Sequence, residues 1–143
     1  MQSTKGQSVV EFAIVLPLFL LLFFGLFYIG MIFADYMTLS NVARSSAREA
    51  SITDAAGYAD NYKNIRNKYS DVELPLDVLT LNKDYLKITY DSKNQNVQVN
   101  ITATLNTEGS SIAHTFYKLM GNTGPDYSMN ITYTMYSEYK PTK

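Results

Sequence analysis

Few side chains in this 143-residue chain are suited to catalysis or metal binding. It has no Cys and a single His, His114, so a thiol nucleophile, a multi-histidine metal site and most catalytic triads are excluded. The chain has 12 Lys and Arg against 13 Asp and Glu, and its net charge of -1 provides no basic field for nucleic acid. We therefore expect no enzymatic activity, no cofactor or metal, and no binding to nucleic acid.

A long apolar run near the amino terminus has one carboxylate, Glu11, at its edge. Residues 12–34 contain no charged residue and no Asn, Gln, Ser or Thr. Because a hydrocarbon core of about 30 Å needs about 20 helical residues, the run predicts a transmembrane helix. The competing interpretation is a secretory signal peptide, whose apolar region is usually about 7–15 residues and ends at small residues. This run is longer, and Asp35 and the residues after it do not resemble such a cleavage site.

Glu11 has two interpretations, because an ionised carboxylate at the edge of the bilayer is costly. In the first, its side chain reaches the lipid headgroups or becomes protonated. In the second, the chain is cut after Gly6, and Glu11 meets the new ammonium group of Gln7 on a neighbouring parallel helix. Opposite charges about 4 Å apart attract by about 4 kcal/mol at an effective dielectric of 20. Desolvation cancels part of that attraction, so the pair would set the axial register of the helices more than their affinity.

Three further residues interrupt the apolar run. Pro17 removes one backbone hydrogen bond, so we expect it to kink or locally open the helix, either as a tolerated proline or as a segment that extends during assembly. Gly25 and Gly30 are five residues apart, so they do not form the four-residue small-residue dimer motif. We interpret these two glycines as close-packing positions.

The rest of the chain changes from a helical to a strand-like period. Apolar residues recur at steps of three and four through residues 35–74, which predicts an amphipathic helical stalk with a helix restart at 51–54 and an end before Pro75. Residues 75–143 predict a small antiparallel β-β-α-β module, so the fold class is α+β. Its predicted elements are a short strand within 76–81, strands at 86–90 and 96–106 joined by a loop at 91–95, a helix at 112–120 and a last strand at 129–135.

The first fifty residues resemble a known family. The residues that carry the resemblance are Gly6, Glu11 followed by Phe12, Pro17, Gly25 and the segment Asn-Val-Ala-Arg-Ser-Ser-Ala-Arg-Glu at 41–49. Together they look like a TadE-like protein of the tight-adherence pilus system, whose members are pilin-like subunits related to type IV pilins.

The resemblance implies a processing event and a topology. A leader, residues 1–6, would lie on the cytoplasmic side, and a prepilin peptidase would cut between Gly6 and Gln7. The mature helix, residues 7–34, would cross the bacterial cytoplasmic membrane once, with Glu11 as the pilin glutamate and the globular part outside. The protein would then reach the pilus or cell surface on assembly.

Two departures from major type IV pilins bear on the subunit's role. The residue after the cut is Gln7 where those pilins have Phe or Met, and the product would retain the 137 residues from 7 to 143. The size favours a minor pilin or pseudopilin that assembles with copies of itself or with other pilin-like subunits. The alternatives are a major filament-forming pilin and a membrane-anchored extracytoplasmic binding module.

Overall fold

The computed structural model describes residues 3–53, 58–108, 114–115, 118, 121 and 127–138. A long helix, a short helix and a three-stranded sheet follow one another along the chain, which confirms the α+β class. The elements are α1 (Ser3–Ile52), α2 (Tyr58–Lys68), β1 (Leu79–Asp91), β2 (Asn96–Leu105) and β3 (Ser128–Tyr136).

Helix α1 has 50 residues and is therefore about 75 Å long. It continues without interruption through Pro17. The helix is therefore not ended by this proline, and the kink or local opening expected there stays a prediction. Proline removes its own N–H donor, but the hydrogen bonds of the turns on either side remain available to hold the helix.

The three strands form one antiparallel sheet in the order β1-β2-β3. Ile101 in the central strand pairs with Leu86 on one side and with Ile131 on the other. The alternation that predicted β2 is confirmed, because Val97, Val99 and Ile101 are buried and the two residues between them are not. The prediction of a separate strand within 76–81 was wrong. Leu79 already begins β1, and a register shift between Leu81 and Leu86 joins the two parts of that strand.

The second half of α1 packs along the inner face of the sheet. Its buried residues recur at helical spacing, and three of them are alanines, whose small side chains allow the helix to approach the strands closely. Tyr62 and Ile65 of α2 belong to the same core. The buried residues of α1 in this core are Leu39, Ala43, Ala47 and Ala50.

The strands follow the direction of α1, so the folded module has two distinct ends. At one end, Leu105 packs beside Met31 and Val78. At the other end, the backbone N–H of Glu138 donates to the carbonyl of Ser51 at 2.9 Å. We call these the proximal and distal ends, since the first lies closer to the amino-terminal half of α1. Most of the helix predicted at 112–120 lies outside the described residues.

Candidate membrane and assembly helix

The amino-terminal half of α1 projects away from the folded module. Between residues 6 and 27 no side chain is buried, and Leu21 exposes 73% of its surface. At about 1.5 Å per residue this segment is about 33 Å long, close to the thickness of a hydrocarbon core. Among the described residues, α1 is the one helix long and apolar enough to cross a membrane. This arrangement is consistent with a single-pass membrane anchor.

The apolar surface of this segment surrounds the helix. Four consecutive residues from Leu20 to Phe23 are exposed, and four consecutive positions cover the whole circumference of an α-helix. Neighbouring rings contact each other along one side, with centroids 6.3 Å apart for Phe19 and Phe23. A surface of this kind needs an apolar environment on every side, which lipid or a bundle of helices provides.

The module begins to cover the helix near residue 28. Tyr28 and Ile32 are half-buried, and Met31 exposes only 4% of its surface against Val78. The end of the predicted span at 12–34 therefore has one face covered by protein. The opposite face remains exposed at Phe33.

Asp35, the first charged residue after the apolar run, is fully buried. Its Oδ1 accepts a hydrogen bond from the N–H of Leu76 at 3.2 Å, and its Oδ2 accepts from Val78 at 2.9 Å and Leu79 at 3.1 Å. Asp77, with φ of 50°, turns the backbone so that these donors face one carboxylate. A buried charge is tolerated when hydrogen bonds replace its hydration, so Asp35 links α1 to the start of the sheet.

Sequence reasoning did not assign this role to Asp35. The available signal was a lone acid directly after a charge-free run. In the sequence, Asp35 marks the end of the run and differs from the small residues of a signal-peptide cleavage site.

The predicted cleavage and register residues lie together at the free end of α1. Gln7 Nε2 donates to Glu11 Oε1 at 3.3 Å, the i to i+4 contact of one helical face. Gly6 and Phe12 flank this pair and are exposed. The roles assigned to these four residues require a peptidase or a second subunit, so they stay predictions.

The described residues leave open space beside the glycines of α1. A Cβ atom added to Gly6, Gly25 or Gly30 would meet no atom of another described element within 4 Å. The close packing predicted for Gly25 and Gly30 stays a prediction.

Polar contacts hold the carboxyl-terminal part of α1 to α2. Lys68 Nζ lies 2.9 Å from both carboxylate oxygens of Glu49, and the hydroxyl of Tyr69 donates to the same group at 3.2 Å. The hydrogen bond with Glu49 raises the pKa of Lys68. Burial, followed by the nearby Glu49 charge, raises the pKa of Tyr69. Because these contacts are partly exposed, they add orientation more than stability.

Other sites are weakly developed in the part of the chain that the structure describes. No group of three or more His, Cys, Asp or Glu residues there could hold a metal ion. One cavity, about 530 Å³, is an open groove between residues 70–77 and the start of β1. Its lining combines charged side chains, such as Glu73 and Lys83, with apolar ones, such as Leu74 and Leu81.

The fold and the uncovered helix define an α+β protein with one candidate membrane anchor at its amino-terminal end. Residues 6–48 match the family model described as TadE-like protein, which confirms the resemblance found in the sequence. The match begins at the predicted cleavage position, covers most of α1, and ends before α2 and the sheet. It covers 43 of the 143 residues, so the likeness is confined to the helical amino-terminal part of the chain. No curated protein and no solved structure matches the chain.

Proposed function

We propose that the protein is a pilin-like structural subunit of a Tad pilus, in the role of a minor pilin or pseudopilin. The observation that carries this proposal is the uncovered apolar segment of α1, residues 6–27, which lies within the TadE-like match. Before assembly, lipid surrounds this segment in the cytoplasmic membrane. During assembly, helices of identical or related subunits replace the lipid.

Processing by a prepilin peptidase prepares the helix for this exchange. The peptidase cuts between Gly6 and Gln7 on the cytoplasmic side, and the folded module lies outside the membrane. Within one uncut chain, Glu11 accepts from the side chain of Gln7. After cleavage, the new ammonium group on Gln7 gives Glu11 of a neighbouring helix a charged partner, which fixes the axial offset between subunits.

The mature amino terminus tests the processing step. The intact mass of protein extracted from membranes of cells that contain a prepilin peptidase should correspond to a chain beginning at Gln7. The same protein from a strain without the peptidase should begin at Met1. A chain that begins at Met1 in both strains contradicts the proposal.

The replacement Glu11→Ala tests the assembly step. We expect it to prevent recovery of the subunit in sheared filaments or assembled complexes and to leave membrane insertion intact, because the charge pair forms only between subunits. Val10→Ala is the matched control, since it alters a neighbouring exposed side chain without changing charge. If Glu11→Ala assembles as well as this control, the pairing role is contradicted and Glu11 is a glutamate that reaches the lipid headgroups.

A membrane-anchored binding module is the alternative function, and the structure shows how to separate it. A foreign transmembrane helix should replace residues 12–27 only, because Tyr28, Met31 and Ile32 contact the module. A tethered binding domain keeps its function after this exchange. A pilin-like subunit loses assembly.

A further inference from the structure

Two carboxylates confine the position of α1 in a bilayer. Glu11 and Asp35 border the charge-free run and are separated by 24 residues, or about 36 Å along the helix. A hydrocarbon core of about 30 Å centred on the run extends from about residue 13 to about residue 33. If the hydrocarbon core were placed further toward the amino terminus, so that Met31 lay outside it, Glu11 would lie inside it. Burying that carboxylate is costly.

This placement brings the proximal end of the module to the membrane surface. Asp35 lies about 3 Å beyond the hydrocarbon edge, and the headgroup layer is about 5–8 Å thick on each side. The backbone of Leu76 and Val78 is hydrogen-bonded to Asp35 and is therefore at the same height. In the part of the chain that the structure describes, the helix predicted as a stalk from residue 35 packs against the sheet, so it does not hold the module away from the lipid.

Apolar side chains are exposed at that end. Leu76 precedes β1 and exposes 36% of its surface, while Tyr127 precedes β3 and exposes 45%. The N–H of Leu105, which packs beside Met31, donates to the carbonyl of Tyr127 at 3.0 Å. Leu76 and Tyr127 therefore lie on the two outer sides of the sheet at its proximal end. We call Leu76 and Tyr127 the proximal rim; the fully buried Val78 and the partly buried Leu105 lie between them.

We infer that the proximal rim contacts the lipid headgroup layer, with Leu76 and Tyr127 inserted as interfacial anchors. This inference rests on the proposed membrane helix and adds a second membrane contact made by the module itself. Tyrosine and leucine suit this position, because an aromatic ring with a polar end is favoured at the membrane interface and an aliphatic side chain gains from leaving water. The contact restricts the tilt of the module until the subunit leaves the bilayer.

The exposed charged residues next to the rim are acids, which do not attract anionic lipid. The contact therefore depends on apolar side chains. Glu73 and Glu108 are exposed acids in the segments next to the rim, and Asp77, in the loop that surrounds Asp35, is another. Their carboxylates can remain hydrated among the headgroups. The contact should therefore form on zwitterionic lipid and should not strengthen when anionic lipid is added.

Single-cysteine labelling can test the contact, because the chain has no Cys of its own. The variants are Leu76→Cys and Tyr127→Cys, and Tyr136→Cys is the matched control. Tyr136 is 62% exposed and pairs with Asn96 at the distal end of the sheet. Each uncut full chain, labelled with an environment-sensitive fluorophore, is reconstituted into phosphatidylcholine vesicles with and without phosphatidylglycerol. Flotation first confirms that the protein is bound to the vesicles.

Lipid with a nitroxide on its headgroup should quench the labels at 76 and 127 several-fold more strongly than the label at 136, in both lipid mixtures. Equal quenching at all three positions after successful flotation overturns the rim contact alone. Failure to float overturns both the proposed membrane helix and the rim contact. A third outcome is that the nitroxide lipid does not quench the rim labels, but the labels become shielded from aqueous iodide as the protein-to-lipid ratio rises. This result would indicate that a second copy covers the rim, and it also overturns the inference.

Discussion

The two halves of α1 differ in their surroundings more than in their secondary structure. Residues 6–27 have no buried side chain, whereas the second half buries one face against the sheet. The first half is apolar around its whole circumference, and the second is apolar along a stripe that includes Leu39 and Ala43. A helix with an apolar stripe can be completed by its own chain, but a helix that is apolar on all sides needs lipid or other subunits.

The boundary between the halves is therefore the place where the module begins to cover the helix. Met31 and Asp35 belong to the side that the module covers, one through packing and the other through three backbone hydrogen bonds. The uncovered half keeps its surface available for a change of environment. The covered half fixes the module to the helix during that change.

Replacing Asp35 should have the largest effect on this comparison. Asp35→Ala leaves three backbone donors without their acceptor, and we expect the free energy of unfolding of the module to fall by about 3–5 kcal/mol. The stability of Asp35→Asn should lie between that of Asp35→Ala and that of the unchanged chain, because the amide retains one acceptor oxygen. Urea unfolding in detergent, followed by the near-ultraviolet circular dichroism of the tyrosines, measures the change.

Glu11→Ala is the control in the uncovered half. It should leave the unfolding transition unchanged, because Glu11 is exposed and its described hydrogen bond is with Gln7 of the same helix. Equal stability of Asp35→Ala and Glu11→Ala would show that Asp35 does not fix the module to the helix.

Truncation of leucines should sharpen the contrast between the halves. Leu39→Ala removes a fully buried side chain and should lower the free energy of unfolding by about 3 kcal/mol, through lost burial and the remaining cavity. Leu21→Ala removes an exposed side chain and should change it by no more than about 0.5 kcal/mol. The same urea titration compares the two variants. A large loss in Leu21→Ala would mean that the first half contacts the module after all.

The regular elements could be predicted from sequence because they leave periodic patterns. The alternation of Val97, Val99 and Ile101 with polar residues is a local property of the chain, and so are the charge-free run and the three- and four-residue steps around Leu39. Such patterns depend on which side chains must leave water, and the sheet and α1 satisfy that demand. The register shift between Leu81 and Leu86 leaves no comparable pattern, so β1 was predicted in two parts.

The Asp35 contacts could not be predicted in the same way. The carboxylate binds backbone donors more than forty residues further along the chain, and every residue except proline has such a donor. The coverage of Met31 was hidden for the same reason, because the span appears uniformly apolar in sequence. Glu11 was found from its place at the edge of the charge-free run, and the cut between Gly6 and Gln7 from its spacing to Glu11 and from the resemblance. The roles of these residues depend on molecules outside this chain.

The smallest predicted effect on the free energy of unfolding concerns Tyr85 of the module, and it depends on pH. The hydroxyl of Tyr85 donates to the backbone carbonyl of Tyr69, and burial raises the pKa of this phenol, with the nearby Asp71 charge as a second cause. A raised pKa in the folded state means that the protonated phenol stabilises the fold. That contribution is complete below the ordinary tyrosine pKa of about 10 and is lost as the pH rises through the folded-state value.

Tyr85→Phe should therefore lower the free energy of unfolding by about 1 kcal/mol at neutral pH, the usual contribution of one hydrogen bond. It should also reduce the loss of stability above about pH 10 relative to the unchanged chain. Urea unfolding at a series of alkaline pH values measures both effects, with Tyr136→Phe as the control for an exposed phenol. An alkaline loss that is the same in Tyr85→Phe and in the unchanged chain would assign the titration to a different group.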